Sequence, residues 1–149
     1  GLAVYCEGQR WGMKSIREFD PWFNPRRHND LAAAMQRDEL LPLRELLRTN
    51  PGEVIYGSSR EVMTYCAQVW ALILFLQHGA DGAYAAGFEQ MLHSINDPTL
   101  PQRAAASFIW SDEETYNYGE ALFRTFISED LATVENQYRE FVRAHFLEQ

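Results

Sequence analysis

The sequence predicts an all-α fold, a single helical domain over residues 1–149 built from about six to eight helices. Three observations carry that expectation. Apolar residues recur at three- and four-residue spacing in one segment after another. Ser58 with Glu61, and Ser111 with Glu114, have the spacing of helix capping boxes. No run alternates apolar and polar residues long enough to build a sheet, and the one β-like stretch is Glu53 to Tyr56.

The elements follow in chain order. Leu2 to Glu7 is short and apolar and reads as the tail of a helix. Gln9 to Asn24 is rich in Gly, Trp, Phe and Pro and reads as an ordered loop, because Trp11, Phe19, Trp22 and Phe23 need a surface to pack on. Asn29 to Arg37 and Leu40 to Arg48 read as two short helices, the second stopped by Asn50-Pro51-Gly52. The strongest signal runs from Ser58 to about His78, with Gly79 beyond it. Val69 to Leu76 is apolar all round, so this should be the buried central helix.

Asp81 is placed to cap a helix to about Ile95, which Asn96-Asp97-Pro98 breaks. A short helix is expected around Gln102 to Ile109. Ser111 should open a helix through Leu122, Phe123 and Phe126. Ser128 should cap a last one, with Leu131, Val134, Tyr138, Phe141, Val142 and Phe146 on its inner face.

Charge narrows the function classes. Twenty-one acidic against 13 basic side chains give a net charge of −8, which argues against a nucleic-acid partner. The longest apolar stretch, Val69 to Leu76, falls far short of the roughly 20 residues a membrane span needs. Cys6 and Cys66 form no Cys-x-x-Cys pair and read as two free thiols, although one disulfide between them stays open.

The sequence holds no complete catalytic or metal site. His28, His78, His93 and His145 are too far apart in the chain for a helical zinc pair. Neither a Gly-x-Ser-x-Gly elbow nor a Walker loop occurs. The acidic groups Asp112-Glu113-Glu114 and Glu129-Asp130 fall where first turns of helices are expected, and there the helix dipole stabilises negative charge.

A family resemblance adds to this reading. Gly1-Leu2-Ala3-Val4-Tyr5 resembles the segment that follows the third zinc ligand of gluzincin metallopeptidases. Phe23-Asn24-Pro25, Leu41-Pro42-Leu43-Arg44-Glu45-Leu46-Leu47 and the run from Tyr65 to Leu76 are similar to a bacterial, peptidase MA-like family of uncharacterised proteins in that clan. The resemblance covers most of the chain. It implies the C-terminal helical subdomain of a zinc peptidase, part of a longer protein, forming one wall of the substrate cleft. The His-Glu-x-x-His motif, its general-base Glu and the third ligand do not occur here. The expectation is therefore a chain that is not active alone, with no cofactor of its own, and with zinc held upstream in the parent. Its partners would be the upstream half and peptide substrate. An apolar face left bare by excision would favour a homodimer.

The resemblance also implies one catalytic candidate, Tyr65. Aminopeptidase relatives place a tyrosine near the start of the corresponding helix, where it donates to the tetrahedral oxyanion. Tyr65 stands one position early, about 100° of helix rotation. The other reading is a core tyrosine whose hydroxyl finds a backbone partner. Tyr5 and Tyr56 are the remaining phenols in view. A different class of function, a self-standing helical module that binds a peptide or protein without chemistry, fits the same composition.

Overall fold

Helices form most of the structure, a computed structural model that describes residues 6 and 7, 9–11, 16–106 and 115–147, the two strands by backbone alone. Among the described residues there are eight α-helices: α1 (Pro25–Gln36), α2 (Leu43–Arg48), α3 (Pro51–Val54), α4 (Ser59–His78), α5 (Ala85–Ser94), α6 (Leu100–Ala106), α7 (Tyr118–Phe126) and α8 (Leu131–Phe146). The all-α expectation holds.

Helix α4 is the axis of the fold. Its start is fixed by the expected capping box: the Ser58 hydroxyl accepts from the Glu61 N–H at 3.3 Å, and the Glu61 carboxylate accepts from the Ser58 N–H at 2.7 Å. Every residue from Trp70 to Leu76 is buried. Helices α1, α2, α3, α5 and α8 all pack against it. Tyr138 of α8 is buried and donates its hydroxyl to the Gln68 carbonyl at 3.1 Å. Burial pushes that phenol's pKa far above its ordinary value.

A second layer is set by close backbone approach. Helix α7 packs on α2, α5 and α6. A Cβ on Gly87 would run into the Phe126 carbonyl oxygen, and one on Gly119 would run into that of Leu47. Glycine at these two positions lets α5 and α2 meet the ends of α7 at backbone distance.

Several expected boundaries move. Residues Gln9–Trp11 and Ile16–Phe19 form a short antiparallel pair, β1 and β2, where a loop was expected. Helix α1 starts at Pro25 rather than Asn29, because Asn24 caps it by accepting from the Arg27 N–H at 3.2 Å. Glu53 to Tyr56 is no strand: Pro51–Val54 is a helical turn capped by Asn50. Asp81 does not cap α5; it sits at φ 52° inside a one-turn 3₁₀ segment, Ala80–Gly82. Asn117 caps α7, six residues past the expected Ser111. Asp130 rather than Ser128 caps α8, and the Ser128 hydroxyl accepts from the Asp130 N–H instead. The readings on residues 2–5 and 107–114, the capping box of Ser111 and Glu114 included, lie outside the described residues.

Candidate functional site

The first two turns of α4 face an open cleft of about 860 Å³. The opposite wall is α2 with the segment that leads into it, and the far end is closed by α3 and the turn at Gly57. The cleft exists because Gln68 holds that leading segment in place. This wholly buried amide accepts from the Leu41 N–H at 2.9 Å and donates to the Leu41 carbonyl at 3.0 Å. Leu41 and Val54 give the cleft its apolar floor.

Tyr65 lines this cleft. It is half-buried, and burial raises its phenol pKa, so the hydroxyl keeps its proton at neutral pH. Among the described residues the hydroxyl has no hydrogen-bond partner, unlike Tyr138 and Tyr84, whose hydroxyls bond the Gln68 carbonyl and the Gln137 side chain. Thr64, one residue earlier, is 6% exposed and also lines the cleft. Its hydroxyl likewise has no hydrogen bond among the described residues.

The polar lining is acidic. Among the described residues that line the cleft are Glu39, Glu45, Glu53 and Glu61, with Arg60 as the basic one. Glu39 is held by Arg37 at 2.7 Å and approached by Arg60 at 3.5 Å. Glu61 is committed to its cap, and the Ser58 backbone and hydroxyl hold its carboxyl below the usual range. Glu53 accepts weakly from the Asn50 amide at 3.4 Å, and Glu45 is exposed to solvent. Ile55 and Tyr56, 65% and 88% exposed, stand beside the α3 end of the cleft. Tyr56 is not among the residues that line the cleft, and Tyr5 lies outside the described residues.

The sequence pointed to Tyr65 and missed the carboxylates around it. One signal was available: Glu61, Thr64 and Tyr65 have the spacing of one helix face. Glu39, Glu45 and Glu53 lie on three separate segments and only tertiary packing brings them together.

The zinc implied by the gluzincin resemblance does not fit the residues described. Among them, no group of three or more His, Cys, Asp or Glu side chains could hold a metal ion. His78 and His145 lie against the Trp22 ring with centroids 5.5 and 5.4 Å away, and His28 meets Phe146 edge-on at 5.3 Å. His93 stands on the exposed face of α5 beside Glu89 at 3.6 Å. Cys6 and Cys66 are free thiols. Among the described residues no helix is long and apolar enough to cross a membrane.

Two further carboxylates are held by arginines. Glu120 has no solvent exposure and receives Arg48 at 2.7 Å, Arg124 at 2.9 Å and Arg44 at 3.1 Å. Glu7 takes a two-pronged grip from Arg27, both bonds 2.9 Å, which ties the chain before β1 to α1.

No protein-family model, curated protein or solved structure matches this chain.

Proposed function

We propose that this chain is one wall of a peptide-binding cleft, in the setting of a gluzincin-like peptidase whose catalytic groups lie upstream of it, and that it does no chemistry by itself. The observation that carries this is Tyr65: a protonated phenol, half-buried in an open cleft, with no hydrogen-bond partner among the described residues. A phenol that lines a cleft without a protein partner is available to a carbonyl oxygen of a bound peptide, and in a peptidase to the oxyanion that carbonyl becomes. Leu41 and Val54 would cover the peptide's apolar side.

A second reading has its own support. Among the described residues the cleft is lined by positions between 39 and 65, the makings of a self-standing peptide-binding module.

Amide chemical-shift mapping with an unstructured alanine–serine peptide tests the binding claim. The expected shifts cluster on Leu41, Val54, Gly57, Thr64 and Tyr65. Shifts scattered over the surface, or none at millimolar peptide, would refute it. The two settings separate on expression with the upstream sequence. Cleavage of denatured casein that Tyr65→Phe lowers, at unchanged thermal stability, supports the peptidase wall; no cleavage supports the module.

A further inference from the structure

We infer that the cleft selects a positively charged peptide, holding a lysine or arginine side chain between Glu45 and Glu53 and its backbone against Thr64 and Tyr65. This rests on the peptide-binding reading and adds the class of ligand. The first support is charge complementarity. Among the described residues four carboxylates line the cleft against one guanidinium, and that guanidinium, Arg60, is turned towards Glu39. Glu61 is occupied by its cap, which leaves Glu45 and Glu53 as the carboxylates on the α2 and α3 walls with capacity for an incoming cation. The Glu45 carboxylate has no hydrogen bond or ion pair among the described residues.

The second support is independent of charge. Thr64 is more than nine-tenths buried, lines the cleft, and leaves its hydroxyl without a hydrogen bond among the described residues. Helical threonines commonly bond the carbonyl four residues back, as Thr125 does with Ala121 at 2.8 Å. A hydroxyl at the wall of a cleft that forgoes this bond and is not sealed from solvent can donate to a ligand carbonyl in place of water.

Fluorescence anisotropy with short labelled peptides tests this. One peptide alternates alanine with lysine, and its counterparts carry serine or glutamate in place of lysine. The lysine peptide should bind more tightly than the serine peptide, the glutamate peptide should not bind, and added salt should narrow the difference. The double variant Glu45→Gln, Glu53→Gln should weaken the lysine peptide about fivefold and leave the serine peptide unchanged. Both residues are exposed, so the variant should keep its melting temperature, which circular dichroism checks. Thr64→Val should weaken both peptides.

Equal binding of lysine and serine peptides, insensitive to the double variant, overturns the charge inference and leaves the peptide-binding reading standing. No binding of any peptide overturns both. A concentration-dependent dimer that Tyr56→Ser disperses would assign the cleft to a second copy of the chain, and also overturns the inference.

Discussion

The side-chain amide of Gln68 forms two hydrogen bonds with the backbone of Leu41, accepting from its N–H and donating to its carbonyl, across 27 positions of sequence. A glutamine in the middle of an apolar helix would otherwise weaken the core. Here it does what a neighbouring strand would do and pins an extended segment against α4. Replacing it with methionine keeps the volume and removes both bonds. Gln68→Met should cost about 1–3 kcal/mol, because a backbone donor and acceptor lose their partners where water has poor access. The cleft wall should loosen with it, so chemical denaturation and hydrogen exchange at Leu41 should change together. Unchanged exchange at Leu41 would show that the segment is held by other contacts.

Glu120 is the next test. Burial alone would raise its carboxyl pKa, but hydrogen bonds from Arg48, Arg124 and Arg44 overcome that and hold it below the usual carboxylate range. A carboxyl depressed in the folded state adds stability above its unfolded pKa and loses it as pH falls through the folded value. Glu120→Gln should lower stability by about 2–3 kcal/mol at neutral pH, less than for a fully buried network, since Arg44 and Arg48 reach water. The gap between wild type and variant should close as pH is lowered below the carboxylate range. Melting curves from about pH 7 to about pH 3 check this; a gap that stays constant would remove Glu120 from the acid response.

The central helix carries a simpler expectation. Leu74 is fully buried in α4. Leu74→Asp places a charge in the core with no partner, at a cost of several kcal/mol, and should unfold the chain. A soluble Leu74→Asp protein with the wild-type far-ultraviolet spectrum would contradict the placement of this helix.

Much of this was legible in the sequence, and the reasons for the misses are physical. Helix α4 was readable because the Ser58 and Glu61 cap, the apolar run to Leu76 and Gly79 all agree. Boundaries failed where two residues compete for one cap. Asn24 and Pro25 resemble a loop, yet the same pair is a cap followed by proline at the first helical position. Ser128 and Asp130 are both good caps, and local geometry gives the role to the aspartate. The β1–β2 pair escaped because three- and four-residue strands are too short to show a period. The site was half visible. Tyr65 lies on a helix face, but the cleft around it depends on the Gln68–Leu41 clamp, a long-range contact that no local pattern encodes.

The most direct measurement is Tyr65→Phe, followed by thermal unfolding and by affinity for the lysine peptide in the same preparation. The hydroxyl has no partner among the described residues, so removing it should change stability by less than about 0.5 kcal/mol. Peptide affinity should fall about three- to tenfold, the worth of one hydrogen bond to a bound carbonyl. A clear loss of stability with unchanged affinity would make Tyr65 a packing residue and contradict the account.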